Sequence, residues 1–198
     1  MFKSISIQSM FLFASLILIG TSCKKEEDKK PIDAVTVSFL VNGANEGNFG
    51  LFSFERNGLV SNQVDSLSNN WDFGLRFATM ITNSGISGPG NAGAIVQTAI
   101  FDEVKEAPES GYRTDAAIGD LAIKDADWYD YNPVTRSFSP RAGQVIIIRT
   151  ATGKFAKMEV LKADPTDDNG EIVVPRTRPT KIKYTIRYVF QPDGSRSF

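Results

Sequence analysis

The sequence predicts an all-β fold, a single domain of mostly antiparallel sheets with a sandwich-like arrangement. Three observations predict it. Short runs of β-branched and aromatic residues alternate with polar ones. Gly, Pro, Asn and Asp separate those runs at strand-like intervals. No window of useful length carries a convincing helical period; the one partial exception, residues 115–129, has room for a helical turn. At 198 residues the chain is long enough for one domain with a hydrophobic core.

Each strand has its own warrant. "VTVSFLV" (35–41) and "FGLFSFE" (49–55) place a β-branched or aromatic residue at every second position. "WDFGLRF" (71–77) puts Trp71, Phe73, Leu75 and Phe77 on one face and Asp72, Gly74 and Arg76 on the other. "GAIVQTAIF" (93–101) is a further apolar strand. "QVIIIRT" and "KFAKMEVLKA" flank "ATG" and read as a hairpin turning at Gly153. "KIKYTIRYVF" (181–190) alternates Ile182, Tyr184, Ile186 and Tyr188 with charged or polar residues. Residues 164–180, "DPTDDNGEIVVPRTRPT", read as a long polar excursion. There is no internal repeat and no second domain boundary.

Composition narrows the chemistry. A net charge of −1 leaves no basic footprint for nucleic acid. The chain has no histidine, which removes the commonest general base and the commonest transition-metal ligand. Its one cysteine, Cys23, excludes an internal disulfide and a cysteine metal cluster.

The N-terminus reads as export machinery. Lys3 supplies a positive start, and "MFLFASLILI" (10–19) is an apolar stretch too short to span a bilayer comfortably. "GTS" then leads directly into Cys23, which looks like a bacterial lipobox. In this reading residues 1–22 are a lipoprotein signal peptide and Cys23 is the lipidated first mature residue; the alternative is an ordinary cleaved signal with a chance cysteine. Residues 23–32 are a charged flexible tether, since "KKEEDKKP" cannot pack a core. This run also resembles the lysine-then-acidic signal that sends Bacteroidetes lipoproteins to the cell surface; a plain spacer is the other reading. The β domain spans 33–198.

"TNSGISGPGNAGA" (82–94) contains G-x-G-x-x-G, the dinucleotide fingerprint. Such a site needs a helix after the glycines, with its N-terminus facing the pyrophosphate. Here "AIVQTAIF" follows, which reads as strand, and Asp102 and Glu103 come too early for a ribose contact. The glycines are better read as a bend that permits positive φ and close backbone approach.

"WDFGLRF" followed by this loop resembles the HmuY family of Bacteroidetes lipoproteins. So do "FDEVKEAPESGYRTD" (101–115), "WYDYNP" (128–133) and "VIIIRTATGKFAKMEVLKA" (145–163), in the same order. The resemblance implies a HmuY-like all-β fold. It implies an outer-membrane, lipid-anchored, surface-exposed protein that captures haem or porphyrin for iron acquisition and hands it to a TonB-dependent outer-membrane receptor. It also implies haem as cofactor, its iron held by two axial histidines or methionines from the "EAPESGYRTD" and "NPVTRSFSP" regions.

The usual histidine ligands are absent. Three residues are therefore the candidates for a haem pocket. Tyr112 can serve as a single axial ligand in its tyrosinate form, or is simply a solvent-facing loop residue. Arg136 stands after "NPVT", where a ligand is expected; it cannot ligate iron but can pair with a propionate. Met80 has the parity of Asp72 and Arg76, which predicts that it points away from the main core beside the glycine loop. Met158 shares a face with Ala156 and Val160 and reads as core. Trp71, Trp128, Tyr129 and Tyr131 read as core or rim aromatics that could also line a flat ligand's pocket. Asp72 and Arg76, four apart on one face, predict an ion pair or cross-strand pairing. No spacing sets up a general acid and base, so no enzyme is expected. The alternative to haem capture is a non-haem surface binding or adaptor module of the same fold.

Overall fold

The larger sheet exists because five amphipathic runs find antiparallel partners. These are β1 (Val35–Asn42), β6 (Gly93–Thr98), β9 (Gln144–Arg149), β10 (Phe155–Thr166) and β11 (Lys181–Gln191), in the order β1-β11-β10-β9-β6. A smaller sheet joins β2 (Gly50–Ser53), β3 (Gly58–Val60), β4 (Phe73–Arg76) and β5 (Thr79–Thr82), in the order β3-β2-β4-β5. A separate hairpin pairs β7 (Tyr129–Asn132) with β8 (Ser137–Pro140). Two single-turn helices, α1 (Asn62–Asp65) and α2 (Asp125–Trp128), and a 3₁₀ turn at Phe101–Glu103 complete the chain. This computed structural model describes residues 32–43, 47–135, 137–174 and 176–198. The expected signal peptide (1–22), Cys23, Arg136 and all of the expected tether (23–32) except Ile32 lie outside the described residues.

The two sheets pack face to face, which makes the fold a sandwich. Phe52, Phe73, Leu75 and Met80 from the smaller sheet meet Ile146, Ile148, Ala156, Met158, Tyr184 and Ile186 from the larger in one buried cluster. Each such side chain contributes about 1.5–3 kcal/mol by leaving water. β9 is apolar at consecutive positions because both of its faces are covered. Ile146 and Ile148 face the sandwich, while Val145 and Ile147 join Phe101, Val104, Ala107 and Val189 on the outside of the larger sheet. Lys157 is buried there, donating to the carbonyls of Phe101 (2.9 Å) and Val104 (2.7 Å). Burial lowers its ammonium pKa.

Three expectations need correction. Met80 does not point away from the core; it is fully buried within it. The reason is a two-residue turn, Phe77–Ala78, that folds β5 back on β4 and pairs Leu75 with Met80. Directly paired residues share a face, so parity counted through the turn comes out inverted. Phe77 takes a left-handed φ of 49° to make this turn. Its N–H donates to Asn42 O (2.7 Å), and its carbonyl accepts the Tyr184 hydroxyl (2.6 Å). Trp71 does not share a face with Phe73 and Leu75, because β4 begins only at Phe73; it packs with Leu51 and Ile81 on the outside of the smaller sheet. Asp72 and Arg76 take separate partners. The Asp72 carboxylate accepts N–H bonds from Phe54 (2.9 Å) and Ala151 (3.3 Å), whereas Arg76 turns outward to Gly47 and Phe49.

Residues 82–94 form a knot rather than a cradle. Thr82 and Ser84 hold the buried Asp115: its Oδ2 accepts from Thr82 N–H (2.9 Å), its Oδ1 from the Thr82 hydroxyl (3.1 Å), and its own N–H donates to Ser84 Oγ (3.1 Å). The Asn83 amide donates to the carbonyls of Ser68 (2.9 Å) and Trp71 (2.8 Å), and its oxygen accepts from Gly90 N–H (2.9 Å). Gly85, at φ 52°, lies so close to the Asp115 carbonyl that a Cβ would come within 2.1 Å of it. No helix follows, and β6 starts at Gly93.

Candidate functional site

The outer face of the smaller sheet carries an apolar cleft. Gly74 sits between Leu51 and Ile81 in the pairing register, so these positions, with Arg76 and Thr79, look outward together. Gly74 lets these two side chains close over the strand, since a Cβ there would lie 3.0 Å from both Ile81 and Leu51 and would push them aside. The segment that follows Asp115 arches over this face. Asp115 Oδ1 accepts Ala122 N–H (2.8 Å), and Arg113 donates to the Leu121 carbonyl (2.9 Å) and the Asp120 carboxylate (2.9 Å). The arch turns at Gly119, whose φ is 83°.

Between sheet and arch lies a space of about 620 Å³, within the roughly 300–1,000 Å³ of small-molecule pockets. Phe49, Arg76 and Ile81 line it from the sheet, Ile86 from the glycine knot, and Leu121, Ile123 and Lys124 from the arch. Ile118, at the tip of the arch, also lines it and is 96% exposed.

Two cations border this apolar space. Arg76 lies over the Phe49 ring (4.3 Å to its centre), and its Nη1 donates to Gly47 O at 2.8 Å. Its buried Nε has no hydrogen-bond partner among the described residues. Lys124 is exposed on the arch, with Asp125 next to it in the lining. Burial and the adjacent Asp125 push the Tyr129 hydroxyl up to about 12. The cleft can therefore take a flat or elongated apolar body and offer its carboxylates a guanidinium and an ammonium.

Of the candidate haem-pocket residues, the two that are described, Met80 and Tyr112, do not line this cleft. Met80 lies on the opposite, inner face of the smaller sheet. Tyr112 packs with the cluster outside the larger sheet and donates its hydroxyl to Pro108 O at 3.0 Å. Burial pushes that hydroxyl up to about 12, away from the tyrosinate a metal would need. Arg136 lies outside the described residues. Met158 is fully buried in the sandwich. Among the described residues that line the cleft there is no histidine, cysteine, methionine or tyrosine, so its walls do not fit axial ligation of haem iron. Among the described residues, no three His, Cys, Asp or Glu side chains converge as a metal site.

Sequence reasoning missed the cleft. Its one available signal was "IGDLAI", where Ile118, Leu121 and Ile123 recur in a segment otherwise rich in Asp, Gly and Ala.

No protein-family model and no curated protein matches the sequence. Solved structures do. The apo HmuY analogue of Tannerella forsythia superposes with a TM-score of 0.50 at 13% identity, covering 82% of this chain and all of that one. Apo PinO from Porphyromonas gingivitis superposes at 0.51 with 12% identity, covering 79% of this chain and 97% of that one. The chain therefore has a HmuY-like all-β fold, and the family resemblance of its motifs is matched by its architecture.

Proposed function

We propose that this protein is a surface lipoprotein of the outer membrane that binds haem or a related porphyrin for iron acquisition. It acts as a binding protein rather than an enzyme, and passes its ligand to a TonB-dependent receptor. The observation that carries the reading is the apolar cleft with Arg76 and Lys124 at its border, in a fold similar to that of the HmuY analogue. Titrating haemin into the protein should quench Trp71, which packs beside the cleft wall with Ile81 and Leu121. Quenching is expected to saturate at about one haemin per chain, and Ile118→Asp should weaken it about tenfold by charging an apolar contact. Quenching that never saturates would end this reading.

A second reading is a non-haem surface binding or adaptor module of the same fold. The absence of histidine, cysteine, methionine and tyrosine from the described cleft walls favours it. Crosslinking on intact cells followed by co-purification tests it. Recovery of a stoichiometric protein partner by a chain that does not bind haemin is its expected outcome, and saturable haemin binding with no partner recovered would remove it.

A further inference from the structure

We infer that the cleft recognises the ring and carboxylates of a tetrapyrrole and not its metal, so that metal-free porphyrin binds as well as iron porphyrin. The inference rests on the porphyrin reading above and adds the source of the affinity. Four observations carry it.

The first is the chemistry of the walls. Phe49, Ile81, Ile86, Leu121 and Ile123 present carbon, and none of the usual axial haem ligands, histidine, cysteine, methionine or tyrosine, stands among the described lining residues. The second is the fate of Met80, Met158 and Tyr112. The Met80 and Met158 side chains are sealed in the sandwich, and the Tyr112 hydroxyl is already committed to Pro108 O. Bringing Met80 to the cleft would require it to pass through its own sheet. The third is Arg76. Among the described residues its hydrogen bond goes to Gly47 O, and its buried Nε makes none. A guanidinium has five N–H donors, so Arg76 retains donors beside the cleft. The Phe49 ring beneath it fixes its plane. The fourth is the anchoring of the arch through Asp115, Arg113 and the Leu121 carbonyl. A wall held at Asp115 by a buried hydrogen bond, and at Arg113 by two more accessible ones, is in place before the ligand arrives, which lowers the ordering cost of binding.

A ligand bound this way gains from apolar burial and from two charge-assisted contacts, Arg76 and Lys124 to its carboxylates. A bond between iron and a protein side chain adds nothing. Three probes separate these contributions: haemin, metal-free protoporphyrin, and protoporphyrin dimethyl ester, which keeps the ring and loses both charges. The full chain carrying Trp128→Phe, so that Trp71 is its one tryptophan, is purified in detergent and titrated with each against a detergent blank, reading Trp71 quenching.

Haemin and protoporphyrin are expected to bind within about threefold of each other. The dimethyl ester should bind at least about tenfold more weakly, the loss expected of one good charge-assisted contact. Arg76→Gln should weaken haemin and protoporphyrin equally, by about tenfold. Lys124→Gln, at an exposed position where folding is not at stake, should weaken both in parallel by a smaller factor. Haemin binding more than about thirtyfold tighter than protoporphyrin would overturn the inference and leave the haem reading standing. Ester binding as tight as that of the free acid would overturn the carboxylate contacts. Failure of both haemin and protoporphyrin to bind would remove the porphyrin reading and this inference together.

Discussion

Asp72 shows how a single side chain ties the layers of this molecule together. It follows Trp71 directly, and its carboxylate bridges the N–H of Phe54, beyond the end of β2, and the N–H of Ala151, in the turn between β9 and β10. It is 5% exposed. Burial raises its pKa from 3.8 to about 6, outweighing the two N–H bonds that favour the charged form. Because the folded pKa lies above the unfolded one, the folded state holds more protons between these values. Stability is therefore highest below about pH 4 for this group and falls as pH rises through about 6. The shift from 3.8 to about 6 corresponds to about 3 kcal/mol. Asp72→Asn removes the ionisation. It should cost about 1 kcal/mol at pH 4, where Asp72 is neutral and loses only an acceptor. Near pH 7 that difference should have shifted by about 3 kcal/mol, leaving the variant about 2 kcal/mol more stable than wild type. Urea unfolding at the two pH values measures this; a difference between variant and wild type that does not change with pH would show that burial of the charge is not felt.

Among the connecting elements, the 82–94 knot and the β9–β10 turn use glycine for different physical reasons. Gly88 is a matter of space: a Cβ there would meet Asn83 Oδ1 at 2.2 Å and Trp71 at 2.6 Å. Gly153 is a matter of backbone alone, with a φ of 82° and no atom within 4 Å of the point where a Cβ would stand. Gly153→Ala should cost about 1 kcal/mol for the left-handed conformation. Gly88→Ala should cost about 3 kcal/mol or more, because it displaces Asn83 from Ser68, Trp71 and Gly90 together. Denaturant midpoints of the two variants settle the order, and equal costs would mean that Asn83 can move freely. The same elements explain what is legible in the sequence. Strands β1, β10 and β11 are readable because alternation survives wherever one face is buried and the other wet. The hairpin at Gly153 is readable from its glycine. The Phe77–Ala78 turn is hidden, since neither residue is a turn former, and with it goes the placement of Met80. The cleft is hidden for another reason. Phe49, Arg76 and Ile118 are far apart in sequence and meet only through strand register and the hold of Asp115 on the arch, and neither is written in local pattern.

At the scale of the whole molecule, the proposed function gives binding and anchoring to separate parts of the chain. No helix of the described residues is long and apolar enough to cross a membrane. The proposed lipoprotein reading places attachment on Cys23 instead, ahead of the charged segment "KKEEDKKP". Each acyl methylene buried in a bilayer contributes about 0.8 kcal/mol, and one chain alone holds a protein only reversibly. Lipid on both the sulfur and the amine supplies more than one chain, enough for stable anchoring. The tether's mixed charges have no apolar surface to bury, so the β domain should fold and bind without regard to the anchor. Cys23→Ala should therefore move the protein from the membrane pellet to the soluble fraction while leaving the haemin titration and the denaturant midpoint unchanged. Retention of the variant in washed membranes would mean that some surface of the β domain itself holds the bilayer or a membrane partner. Release accompanied by lost haemin binding would mean that the lipid end contributes to the site, contrary to a cleft whose described walls come from residues 49–126.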